Sequence, residues 1–243
     1  MSENIITVKV ENVISSIEPK RPSFDKLWNE YKKVMTLMSD AANILINDES
    51  RPLPSIEEAE HEPVHAIYNK IGGEIAKLHN SEDIYNNTHL KMHSGYQNSC
   101  ALRLSEALNQ SGFIIKGGTI NPNKNILRNS GKTYSSSSGK EYHYRYIMQV
   151  TGIKTYLETR WGKPEITYIT EPCTNSEECF KLHSKKFIGK KGIIAFDVEG
   201  WNDASGHVTV WDGSKCGDGS CFGGSHHYFD FKQVKKIYLW ELK

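Results

Sequence analysis

The 243-residue chain contains no run approaching the ~18 consecutive apolar residues of a membrane-spanning helix, so insertion into a bilayer by that route is excluded. It has almost no charge excess. Lys and Arg number 30 against 29 Asp and Glu, a formal +1, and the basic field of a nucleic-acid or membrane-surface binder is missing. The opening stretch, Met1 to Val10, has neither a basic region nor an apolar core, so no signal peptide is expected. Internal repeats and a convincing linker are also lacking, and a single domain over 1–243 is expected. Hydrophobic residues are a lean 37%, but 10% aromatics and five tryptophans argue against disorder. Cysteine is scarce and odd-numbered at five. Cys173/Cys179 and Cys216/Cys221 form two close pairs, and Cys100 stands alone, which raises the question of a reactive thiol.

What is present divides into a helical part and a strand part. A short β-like run covers Ile5 to Val10. Ser23 occupies an N-cap position, and Phe24, Leu27, Trp28 and Tyr31 lie on one helical face, read as core packing. Residues 47 to 63 are acidic and proline-punctuated and read as an exposed connection or inserted arm. Apolar spacing returns at Ala66 and continues to Ile75 around the Gly72-Gly73 break. The best helix signal starts at Asn98 or Ser99: Ala101, Leu104 and Leu108 share a face, Ala107 widens it, and Gly112 marks the stop. Tyr134 to Gly139 reads as a serine-rich loop, and Tyr146 to Glu158 as a helix weakened by Gly152. Strand patterns then take over at Gly192–Val198, Gly206–Trp211 and Ile237–Leu242. Helices followed by strands indicate an α+β fold.

Chemistry concentrates on Cys100. A thiol in the first turn of a helix lies in the positive end of the dipole, which favours the thiolate, and the free N–H groups there can hold an oxyanion. His207 opens a later strand, and a strand-borne imidazole facing a helix-borne thiol is how a Cys–His pair is assembled from distant sequence. Its other nitrogen needs an orienting carboxylate. Asp212, at the end of the same strand, and Asp218, between Cys216 and Cys221, both qualify. Tyr96, Gln97 and Asn98, just before the thiol, are candidates for a second oxyanion donor. Each cysteine pair can close a small disulfide loop in an oxidising compartment, or the four can form a zinc site; the spacing suits zinc poorly and favours disulfides. His226 and His227 are adjacent in a strand pattern and would point to opposite faces, so they make a poor ligand pair. A non-catalytic, disulfide-stapled secreted binding module is the rival reading from another class, and a zinc-supported domain is a third.

Four blocks carry a resemblance over most of the chain: Arg21 to Tyr31, Tyr68 to Gly73, Asn98 to Asn109, and Gly206 to Gly213. Together they resemble the type VI secretion amidase effector family 4. The resemblance implies a papain-like α+β cysteine amidase with neither cofactor nor metal, its Cys helix in an N-terminal helical part and its His on a C-terminal antiparallel sheet. It implies cleavage of the γ-D-glutamyl–meso-diaminopimelate bond of peptidoglycan stem peptides. It further implies an antibacterial toxin made in the cytoplasm, delivered by the type VI apparatus into a target cell's periplasm, and countered by a cognate immunity protein. Neither nucleic acid nor membrane insertion is expected. In the family pattern Cys100 matches the nucleophile and His207 the base. Asp218 takes the place of the acidic third member, and Cys216–Cys221 becomes the more strongly implied disulfide. Two stretches depart from the pattern. Residues 34–64 are longer than expected and read as an insertion, and residues 1–20 read as an N-terminal extension. Delivery by a secretion apparatus also accounts for the missing signal peptide.

Overall fold

The computed structural model describes residues 6–10, 13–17, 21–47, 50, 56–80, 99–116, 127–136, 139–200, 206–221, 228–229 and 233–243. Helices α1 (Phe24–Ile46), α2 (Ile56–Ile71), α3 (Gly73–Asn80) and α4 (Cys100–Gln110) come first in the chain, after a hairpin of β1 (Ile6–Val10) and β2 (Val13–Ile17). A second hairpin follows, β3 (Leu127–Ser135) with β4 (Glu141–Ile147), and then α5 (Val150–Trp161). Strands β5 (Ile166–Ile169), β6 (Gly192–Val198), β7 (Gly206–Trp211) and β8 (Val234–Glu241) form an antiparallel sheet in the order β5-β8-β6-β7, with α6 (Ser176–Ser184) between β5 and β6. The α+β expectation therefore holds. Among the described residues, no helix is long and apolar enough to cross a membrane.

Strand alternation sorts the sheet into two buried faces. Ile193, Ala195, Val208, Val210 and Trp240 pack with α1, α4 and α5, while Ile194, Phe196, Trp211, Ile237 and Leu239 pack with Phe187, Phe229 and the Cys216/Cys221 loop. The register enforces this, because Ile193 stands opposite Trp240 and Ile194 opposite Leu239. In a third cluster, Ile67, Tyr68, Ile71 and Ile75 of α2 and α3 meet Val34 and Met38 of α1 and Leu102 of α4. Each such apolar side chain removed from water stabilises the fold by about 1.5–3 kcal/mol.

Helix α4 is buried along nearly its whole length, so its polar side chains require partners. Ser105 exchanges two 3.1 Å hydrogen bonds with the Ile147 backbone. Asn109 donates to the Arg145 carbonyl at 2.9 Å and accepts from the Ile115 N–H at 2.8 Å. Glu106, 1% exposed, accepts from the Tyr146 hydroxyl and from Lys132 Nζ at 3.1 Å. These bonds fix both the rotation and the height of α4 against β4, and thereby the place of its first residue.

Three local expectations are corrected. Residues 56–63 are not a connection: they form the first half of α2, with Pro63 inside the helix. Tyr134 and Ser135 are not loop but the end of strand β3, and Tyr134 stacks on Tyr142 across the hairpin at 5.7 Å. Tyr146 and Ile147 complete β4, and the helix expected there starts at Val150 and runs on to Trp161. Ser23 and Ser99 hold the N-cap positions of α1 and α4, yet neither hydroxyl makes a capping bond. The stretch 34–64 supplies the latter half of α1 and the start of α2.

Candidate active site

Cys100 is the first residue of α4 and the one free cysteine; it is 2% exposed. His207 stands on β7, and its imidazole acts on the Cys100 thiol, lowering its pKa. Gly206, just before His207, lets β7 lie close against β6. Its φ is +154°, and a Cβ there would lie 1.9 Å from the Phe196 carbonyl oxygen. Tyr228 stacks flat on the imidazole, with ring centres 4.3 Å apart and planes 5° from parallel, so the ring has little freedom to rotate.

The carboxylate arrives by a tight return of the chain. Asp212 closes a turn at the end of β7, accepting at 2.8 Å from the N–H groups of Ser214 and Lys215 and from the Ser214 hydroxyl. Cys216 then bridges antiparallel to Trp211, and the Gly217 N–H donates to the Val210 carbonyl at 2.7 Å. The chain then turns, the Gly219 N–H donating to the Cys216 carbonyl, and Asp218 and Ser220 reach the imidazole. Asp218 Oδ2 lies 2.9 Å from His207 Nε2, which leaves Nδ1 for the thiol. Ser220 Oγ donates to Asp218 Oδ1 at 2.6 Å and sits 3.0 Å from His207 Nε2. The structure thus brings His207 and Asp218 together, with Cys100 acting on the same imidazole, and leaves Asp212 occupied with its own turn. Tyr96, Gln97, Asn98, His226 and His227 lie outside the described residues.

Sequence reading missed two members of the site. Tyr31, read only as core, is fully buried, but its hydroxyl donates to Asp218 Oδ2 at 3.3 Å and accepts from Thr209 Oγ1 at 3.1 Å. Arg103 places Nη2 3.5 Å from the same oxygen. Its spacing of three from Cys100, one helical turn, was the available signal.

Electrostatics follow from these contacts. Burial alone would raise the Cys100 thiol pKa, but the hydrogen bond and charge of His207, the Arg103 guanidinium and the Val208 N–H together bring it below the ordinary value. Burial likewise opposes charge on His207, yet Asp218 and Cys100 raise its pKa to about 9. Asp218 is held well below the usual carboxylate range: burial works against its charge, and His207, Arg103 and Ser220 outweigh it. Burial and the Asp218 charge keep Tyr31 a neutral phenol. All three shifts run towards charge on the thiol, the imidazole and the carboxylate.

Cys173–Cys179 and Cys216–Cys221 are disulfides with Cα separations of 5.3 and 5.4 Å. Paired in this way, the four sulfurs cannot serve as thiolate ligands, which removes the four-cysteine zinc reading. Among the described residues, no group of three or more His, Cys, Asp or Glu side chains is placed to hold a metal ion.

An α+β scaffold that sets a thiol at a helix start against an imidazole and a buried carboxylate has the make-up of an amide-bond hydrolase. Comparison with known proteins then narrows the class. The family described as type VI secretion system (T6SS), amidase effector protein 4 matches residues 96–240, more than half of the chain, and the chain belongs to that family. Among solved structures it is similar to the effector Tae4 in the Tae4–Tai4 effector–immunity complex from Enterobacter cloacae, with 24% identity and a TM-score of 0.55. It is also similar to Salmonella typhimurium Tae4 in complex with the immunity protein Tai4 from Enterobacter cloacae, with 26% identity and a TM-score of 0.53. Each match covers 92% of this chain and 100% of the other. No curated protein sequence matches the chain.

Proposed function

We propose that the chain, acting as one amidase unit over residues 1–243, cleaves the γ-D-glutamyl–meso-diaminopimelate bond of peptidoglycan stem peptides through a Cys100–His207–Asp218 triad. The His207–Asp218 hydrogen bond, with an imidazole that lowers the pKa of the helix-start Cys100 thiol, in a chain belonging to a family of amidase effectors, carries the reading. The Cys100 thiolate attacks the γ-carbonyl carbon. Negative charge moves to the carbonyl oxygen, where the Cys100 N–H is one donor. The His207 imidazolium gives its proton to the leaving amine nitrogen, the C–N bond breaks and a thioester remains. Water then attacks the thioester carbon while His207 takes its proton, releasing the glutamyl carboxylate and the sulfur. Asp218 holds the imidazole tautomer and orientation throughout.

In this reading the protein is an antibacterial effector delivered by a type VI apparatus into a target cell's periplasm, where an oxidising environment suits both disulfides. A cognate immunity protein protects the producer, as the Tae4–Tai4 complexes show for the relatives. Mass spectrometry of muropeptides from sacculi digested with the purified protein tests the proposal. New glutamyl carboxyl and diaminopimelyl amino termini are expected; intact stem peptides, or cuts only elsewhere, would overturn it.

Two further outcomes follow from the geometry. Asp218→Asn is expected to lower kcat on the order of 10²–10⁴-fold, because an amide disturbs the imidazole tautomer. Asp212→Asn should stay within a few-fold of wild type, and the reverse ranking would remove Asp218 from the triad. Activity should decline as the pH rises through about 9, where the imidazolium loses its proton and cannot supply the leaving amine. Because the folded pKa lies above the ordinary 6.5, His207 pairing stabilises the fold fully below pH 6.5 and loses that contribution through about 9.

A further inference from the structure

Arg103 is an expensive residue to place where it sits. Its side chain is 13% exposed, and among the described residues its Nε has no hydrogen-bond partner. One Nη contacts the Met35 sulfur at 3.4 Å, and the other approaches Asp218 at 3.5 Å. The flanking positions Leu102 and Leu104 are pure core, so an apolar side chain would satisfy packing at this height of α4. A desolvated guanidinium is retained at a net cost unless its charge is used.

Counting formal charges shows the use. A Cys100 thiolate, a His207 imidazolium and an Asp218 carboxylate sum to −1 in a buried cluster, and Arg103 brings the sum to zero. Among the described residues, the other titratable groups that act on this cluster are phenols, Tyr31 from α1 and Tyr228 stacked on His207. The next ion pair along α4, Glu106 with Lys132, already compensates itself. Arg103 is therefore the one fixed cation at the site among the described residues, since a guanidinium keeps its charge at every working pH.

Resting on the triad reading, we propose that Arg103 is a positioning residue: its guanidinium balances the buried charge and keeps Cys100 in the thiolate form. The contact with Asp218 is too long for a bidentate clamp, so the guanidinium acts chiefly as a charge one helical turn above the sulfur. The direction of the Cys100 shift agrees, with Arg103 among the groups that lower it.

The test is the rate of Cys100 alkylation by iodoacetamide against pH in the full chain, read by intact mass, together with peptidoglycan cleavage. Cys100 is the one free thiol, so the reading is unambiguous. Arg103→Met is expected to move the midpoint of the rate curve up by about one to two pH units, slowing alkylation at neutral pH about 10–100-fold. Arg103→Gln, which keeps hydrogen-bonding capacity, should shift it equally, and Arg103→Lys should restore most of the wild-type curve. A folded Gln or Met variant with an unmoved midpoint would overturn the proposal while leaving the triad intact. A wild-type midpoint in the ordinary thiol range would instead overturn the triad reading itself.

Discussion

Cys100→Ala is expected to abolish cleavage of purified peptidoglycan, lowering kcat on the order of 10⁴-fold or more, with the unfolding midpoint nearly unchanged. The asymmetry follows from where the sulfur sits. Cys100 opens α4, and the helix is held by its interior residues Ser105, Glu106 and Asn109 against β4, none of which the substitution touches. Removing one buried sulfur leaves only a small void, whereas the reaction loses its only candidate nucleophile. Turnover of sacculi by the alanine variant at anything near the wild-type rate would refute covalent catalysis by this residue. A variant that is both inactive and unfolded would contradict the account of how α4 is anchored.

Gly206→Ala should produce the largest loss of stability among conservative changes near the site, about 3 kcal/mol or more. The new methyl would lie 1.9 Å from the Phe196 carbonyl oxygen, on a backbone with φ of +154°. Relief requires β7 to move away from β6, and His207, paired with Phe196, moves with it. Thermal unfolding should therefore fall by roughly 6–12 °C, accompanied by loss of activity. Gly139→Ala is the matched control: φ is +77°, but nothing lies within 4 Å of the new methyl, so only backbone strain of about 1 kcal/mol is expected. Equal melting temperatures for the two variants would show that the close approach at Gly206 is relieved elsewhere.

The sheet and α4 were legible in the sequence because their signals are local. Gly192–Val198 and Gly206–Trp211 have strand periodicity and turn residues at their borders, and α4 has an apolar stripe with a glycine stop. The first half of α2 was not legible, since acidic residues and Pro63 suit a loop as well as a helix, whereas Val64, Ile67, Tyr68 and Ile71 supply an apolar face that docks it. Strand β3 was hidden by a polar serine run, because what pairs it is the opposite strand. Cys100 and His207 stood out by residue type and placement. Between Asp212 and Asp218 the residues alone were silent, because the choice depends on how Cys216 and Gly217 fold back on Val210 and Trp211. Tyr31 was read as packing and is packing, but no helical periodicity reveals that its hydroxyl ends on a carboxylate 187 positions away.

The strand order carries a consequence for when the protein becomes an enzyme. β8, the last of the described strands in chain order, lies in the interior of the sheet between β5 and β6. A chain emerging from the ribosome has already made Cys100, His207 and Asp218, yet β6 and β7 can form only a two-stranded ribbon until residues 234–241 arrive to complete the layer. Such late, long-range pairing is slow relative to helix formation. The nascent chain therefore carries Cys100, His207 and Asp218 before the sheet that aims them is complete.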